Sequence, residues 1–118
     1  MRLMEVTGFW FFIAGLCGFY CLMRRAGIFA FPAALGVLFV VVIPMNLKHL
    51  TTIYVDLALA SLCVLAIHFL VQALFEKQWK MWIMFALAVG WLPAIKYTGL
   101  LFTASLAIVA PMGRFACL

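Results

Sequence analysis

The 118-residue chain is 70% hydrophobic and 9% charged, carries eight Lys and Arg against three Asp and Glu for a net charge of +5, and has a mean hydropathy of +1.29. A water-soluble domain keeps about a quarter of its residues charged, so the composition excludes a surface that faces water throughout and predicts an all-α, polytopic membrane bundle. At about 20 apolar residues per crossing, about four to five helices use these residues, leaving no room among them for a soluble catalytic domain or a nucleotide-binding fold.

The first apolar run spans about 6–23 and is stopped by Arg24-Arg25. Arg2 is countered by Glu5 and two arginines follow the run, so it reads as a retained helix and not as a cleaved signal peptide. Ala14 and Gly18 in this run form a small-residue seam that fits a packing helix, of a partner or of a second copy. The second segment, about 28–44, opens with Pro32 in a first turn and closes at Pro44, both positions that a helix end tolerates. A polar stretch, 46–52, follows. The third segment, about 53–75, is the longest and is bounded by Glu76-Lys77-Gln78-Trp79-Lys80. The fourth, about 81–95, and the fifth, about 100–112, are separated only by Lys96-Tyr97-Thr98-Gly99. Both are short for a crossing, roughly 20–24 Å at 1.5 Å per residue, which suits a tight hairpin with its tip in a headgroup layer.

The cations stand singly or in pairs between apolar runs and form no patch for nucleic acid, so they act as topology signals. With the N-terminus outside, the inner side holds Arg24, Arg25, Lys77, Lys80 and Arg114, and the outer side Arg2, Lys48 and Lys96, which favours an external N-terminus and a cytoplasmic C-terminus in a cell membrane. Cys17, Cys21 and Cys63 fall in apolar runs, where cysteine packs as a small polarizable residue, and no metal or cofactor is implied. His68, in mid-segment, reads as a neutral imidazole bonded to a neighbouring helix.

The counting of spans puts Lys48, His49, Tyr54, Asp56, Lys96 and Tyr97 at one end of the molecule. Asp56 lies about one turn into its segment, where an ionised carboxylate needs water or a cation, and Lys48 and Lys96 on the same side offer one. Lys96, at the break between two short helices, must face water, a headgroup or a bound anion. Thr98 and Gly99 free the backbone there, and the amides opening the fifth helix add partial positive charge. Two readings stand side by side: a helix-starting Asp with a topogenic loop Lys, and a headgroup site.

The residues that carry a resemblance are Leu22-Met23-Arg24-Arg25, the helix ending in Pro44, Thr52-Ile53-Tyr54-Val55-Asp56-Leu57-Ala58-Leu59-Ala60, a basic turn with tryptophan, Ala88-Val89-Gly90, and Ile95-Lys96-Tyr97-Thr98-Gly99-Leu100-Leu101. Over 20–110 their order resembles the middle of the GT-C glycosyltransferases, multi-pass enzymes that use polyprenyl-phosphate-linked sugars and include protein O-mannosyltransferase, aminoarabinose transferase and RgtA/B/C/D-like families. The resemblance implies that Asp56 faces an extracytoplasmic active site as a catalytic carboxylate and that Lys96 approaches the phosphate of the lipid donor, with Tyr97, Lys48 and His49 as further substrate-binding residues. The chain departs from that pattern after its first helix. The family places an outer loop with its main catalytic acid there, and this sequence has only Arg24-Arg25-Ala26-Gly27, so no turnover of its own is expected, as for a fragment, a degenerate copy or a short protein that uses the scaffold for something else. The alternative is a small oligomeric transporter or lipid-carrier flippase, in which Asp56 serves as the essential acid.

Overall fold

The computed structural model describes residues 2–44, 48 and 55–116. Among the described residues it is all-helical: α1 (Arg2–Arg25), α2 (Ala30–Val42), α3 (Val55–Glu76), α4 (Trp79–Ile95) and α5 (Gly99–Ala116). Two stretches are long and apolar enough to cross a membrane, Val6–Arg25 in α1 and Asp56–Glu76 in α3; the apolar stretches of α2, α4 and α5 are shorter.

The helix ends follow local chemistry. Between α1 and α2 the chain reverses through Gly27, whose φ of 87° suits a residue without a side chain. The Arg24 guanidinium donates to the Ile28 carbonyl at 3.1 Å and closes that turn. α2 stops at Val42 because Ile43 precedes Pro44 and takes an extended conformation, φ −55° and ψ 119°, as a residue before proline is pressed to do. α2 lies within the segment read from sequence at about 28–44, and α3 runs one residue past the end of the segment read at about 53–75. The first, read as about 6–23, runs from Arg2 to Arg25, and the last two are also longer than expected. α4 starts at Trp79, since an exposed Lys80 in a first turn does not disturb it, and α5 continues past Met112 through Pro111 to Ala116. Packing carries α5 through its proline: Ala110 is buried, and Gly113 lies so close to Leu74 of α3 that an added Cβ would stand 2.9 Å from its side chain. At 1.5 Å per residue the two helices measure about 25 and 27 Å.

α3 is the central element, in contact with α1, α4 and α5, while α2 leans on α1. Side-chain pairs give the directions. Gly15 meets Ser61 and Gly18 meets Leu65, while farther along Arg25 pairs with Glu76, so α1 and α3 run parallel. α4 runs against both, since Leu92 clusters with Leu59 and Leu62, whereas Phe85 clusters with Ala66 and Leu70. The helices thus alternate in direction, with the starts of α1, α3 and α5 at one end of the bundle.

Small residues set the spacing of the interfaces. A Cβ on Gly15 would stand 2.7 Å from the Ser61 Cβ, so only glycine allows α1 to sit this near to α3. The Ser61 hydroxyl, buried in this contact, donates to the Leu57 carbonyl at 2.9 Å and leaves no orphan polar atom. Gly18 packs on Leu65 of α3, so this half of the small-residue seam expected to meet a partner is occupied within the chain. On the other side of α3, Ala66, Ala88 and Ala110 bring α3, α4 and α5 together around Leu70, Phe85 and Val89.

Pro93 lies inside α4 and has no N–H to give the Val89 carbonyl. The Thr103 hydroxyl of α5 reaches across at 3.2 Å and donates to that carbonyl, so a hydrogen bond between helices replaces the one the proline removes. Thr103→Val, which keeps the shape and deletes the donor, is expected to lower stability by about 1–2 kcal/mol. Thr103→Ser should retain most of it. Equal unfolding midpoints for the valine and serine variants would show that the bond contributes nothing.

Candidate functional site at the Asp56–Lys96 end

Asp56 stands in the first turn of α3, where the partial positive charge of the helix start favours a carboxylate. Lys96 follows the last residue of α4 and is extended, φ −154° and ψ 144°, which turns its side chain out of the helix path. The two residues, forty apart in sequence, meet: the Lys96 ammonium donates to Asp56 Oδ1 at 2.6 Å. The side chains are 36% and 58% exposed respectively, so the pair sits at the surface of the bundle end and is open to solutes.

A hydrogen bond to the Asp56 carboxylate, and the charge of that carboxylate, hold the Lys96 pKa above its usual 10.5. The ammonium is therefore fully charged across ordinary pH. Because the folded value is raised, the stabilisation from this linkage is present below 10.5 and disappears as pH climbs through the folded value. Unfolding midpoints of the wild type and Lys96→Met are expected to differ slightly at neutral pH and to converge in strong alkali; a difference that persists there would separate it from the ion pair.

The turn that presents Lys96 is built from backbone. Gly99 N–H donates to the Lys96 carbonyl at 2.8 Å, Leu100 to Tyr97 at 3.1 Å and Leu101 to Thr98 at 3.1 Å. These bonds correct one expectation. The amides opening the fifth helix are engaged by the preceding turn, so they are not aimed outward at an anion. Gly99 differs likewise: it is buried, and the space where a side chain would stand is filled by the Leu92 carbonyl, so its lack of a side chain serves helix contact and not ligand approach.

Tyr97, next to Lys96 on the turn, is 83% exposed, with its ring free to meet solvent or an amphiphile. Lys48 is exposed and lies in the link between α2 and α3 that leads to Asp56. His49 and Tyr54 lie outside the described residues. His68 does not have the partner expected for it: among the described residues its buried Nδ1 has no hydrogen-bond partner, and its ring tilts against Phe69 at 5.6 Å between centroids. No group of three or more metal-ligating side chains occurs among the described residues, and Cys17, Cys21 and Cys63 are free thiols.

Sequence reading missed Pro93 and Thr103, which brace the segment carrying Lys96. The available signal was a proline within an apolar helix followed ten residues later by a hydroxyl in the next one. It also missed the Arg25–Glu76 pair at the opposite end, 2.5 Å long, with the Arg25 guanidinium 6.0 Å above the Phe75 ring. No family model, curated protein or solved structure matches this chain.

Proposed function

We propose that the chain is a multi-pass bundle of the cell membrane and that its Asp56–Lys96 end is the lipid-phosphate site of a glycosyltransferase segment of the GT-C kind. The single observation that carries this reading is the meeting of one carboxylate and one ammonium at an exposed bundle end. An anionic headgroup can exchange with Asp56 for the ammonium, and that exchange releases a carboxylate beside the bound phosphate. The substrate class is a polyprenyl-phosphate-linked sugar. Lys96 holds the phosphate, Asp56 supplies the charge or base that sugar transfer needs, and Tyr97, Lys48 and His49 extend the headgroup surface.

Further support comes from the distribution of charge and hydropathy. α1 and α3 meet the length and apolarity of spans, and the alternation of helix direction gathers Arg24, Arg25, Lys77, Lys80 and Arg114 at the end away from Asp56. By the positive-inside rule that end is cytoplasmic, which leaves the N-terminus and the ion pair on the extracytoplasmic face. The link between α1 and α2 is residues 26–29 and carries no acid, so the acidic loop that completes such sites in the family has no counterpart at this position. Lipid-phosphate binding without sugar turnover is the expected behaviour of these residues by themselves.

The test is titration of the purified protein with undecaprenyl phosphate. Saturable binding that Lys96→Ala weakens supports the reading. Proton-driven uptake that depends on Asp56, with no binding of the lipid phosphate, would replace it with a small transporter acting as an oligomer.

A further inference from the structure

The end of the bundle opposite the ion pair has a chemistry of its own. Arg24 and Arg25 close α1, Lys77 and Lys80 flank the turn between α3 and α4, and Arg114 lies in the last turn of α5. Of the three acids in the sequence, Glu5 and Asp56 belong near the starts of α1 and α3, so Glu76 alone faces these five cations. Glu76 is taken by Arg25. Lys77, Lys80 and Arg114 remain exposed, on three different helix ends or turns. Beside them stand exposed rings: Phe75, Trp79 and Phe115 are 71%, 68% and 77% accessible.

Cations alone would suit any polyanion. Cations fringed by outward aromatic rings suit a surface that changes from phosphate to hydrocarbon within a few ångströms, where rings lie at the boundary and ammonium or guanidinium groups reach the phosphates. We infer that this end binds the headgroups of anionic glycerophospholipids, with Lys77, Lys80 and Arg114 as the phosphate contacts and Trp79 marking the headgroup depth. The inference rests on the bilayer-spanning reading, but not on the chemistry at Asp56 and Lys96. It assigns a partner to the bundle end that the lipid-phosphate site does not use.

The indole of Trp79, with Trp82 one turn on, supplies the reporter. In a Trp10→Phe, Trp91→Phe background, the full chain is reconstituted in phosphatidylcholine vesicles containing a minor fraction of either brominated phosphatidylglycerol or brominated phosphatidylcholine. Preferential quenching by the anionic lipid is expected, with a relative association constant of roughly fivefold or more. It should fall toward unity in the Lys77→Gln, Lys80→Gln, Arg114→Gln variant. It should also fall for the unsubstituted cations in 1 M salt, where the screening length drops to about 3 Å, a check that needs no change in the cations. Equal quenching by both lipids, or a preference that survives both the triple variant and salt, overturns the assignment. Protein that fails to float with the vesicles overturns the spanning reading together with this inference, whereas flotation with equal quenching overturns this inference alone.

Discussion

Asp56→Asn is expected to tighten the binding of undecaprenyl phosphate by roughly tenfold, while Lys96→Ala weakens it by at least as much. The opposite signs follow from the geometry. The ammonium already holds an anion, the Asp56 carboxylate at 2.6 Å, and an incoming phosphate must take its place. Asparagine keeps a carbonyl oxygen for the lysine but removes the charge that competes, so the headgroup meets a less occupied cation. Alanine at 96 removes the cation itself. Both side chains are substantially exposed, and surface pairs of this kind contribute little to folding, so neither change should alter expression or helicity. Titration of the two variants side by side, with circular dichroism as the control for folding, decides the matter. If both bind as the wild type does, the pair is a structural tether and the headgroup reading fails. If Asp56→Asn weakens binding as much as Lys96→Ala, Asp56 contacts the ligand and does not compete with it.

That the two residues share an end was legible in the sequence, because a pattern of spans fixes which loops lie together and both residues border loops at the same end. That they converge was expected as well, because the Asp56 carboxylate needs a cation and Lys48 and Lys96 share its end; the direct 2.6 Å contact was not legible. Contact depends on α3 packing directly on α4, which hinges on Ala66 and Ala88 admitting Leu70 and Phe85, and on the extended backbone at Lys96 that turns its side chain toward α3. Neither is a local property of the sequence. The same limit explains the helix ends. The ends of α1 and α2 were marked by Arg24-Arg25 and Pro44, local signals, whereas α5 outran the expected end at Met112 because Gly113 found Leu74, a tertiary contact. The amides of α5 were misjudged for a related reason. A helix start offers free N–H groups in isolation, but here the four-residue turn 96–99 is so short that its own carbonyls take them. His68 marks a further boundary of local reasoning, since the need of a buried imidazole for a partner does not reveal whether the packed helices supply one.

Gly99→Ala is expected to be the most damaging single-methyl change in the chain, costing about 3 kcal/mol and separating Lys96 from Asp56. The added Cβ would overlap the carbonyl oxygen and carbon of Leu92 and come within 3.1 Å of the Pro93 nitrogen. All three are backbone atoms, so no side-chain rotation relieves the contact; α5 must move away from α4. Leu92 cannot yield, since its side chain is fully buried against Leu59 and Leu62, and Pro93 restricts the turn that carries it. Displacement of α5 also stretches the Thr103 bond to the Val89 carbonyl, which removes the brace behind the Lys96 turn. Gly90→Ala, in α4, is the internal comparison. Nothing stands within 4 Å of a Cβ there, and alanine is the better helix former, so that variant should gain about 0.5–1 kcal/mol. The two changes add the same methyl to positions nine residues apart, so a detergent-based unfolding titration sets the backbone overlap at Gly99 against the helix-propensity gain at Gly90. The Gly99 variant should also lose lipid-phosphate affinity in proportion to the loss of the ion pair, and Gly90→Ala should leave it intact. Matching midpoints for the two variants would mean that α4 and α5 do not approach through Gly99, and the turn that positions Lys96 would have to be rebuilt.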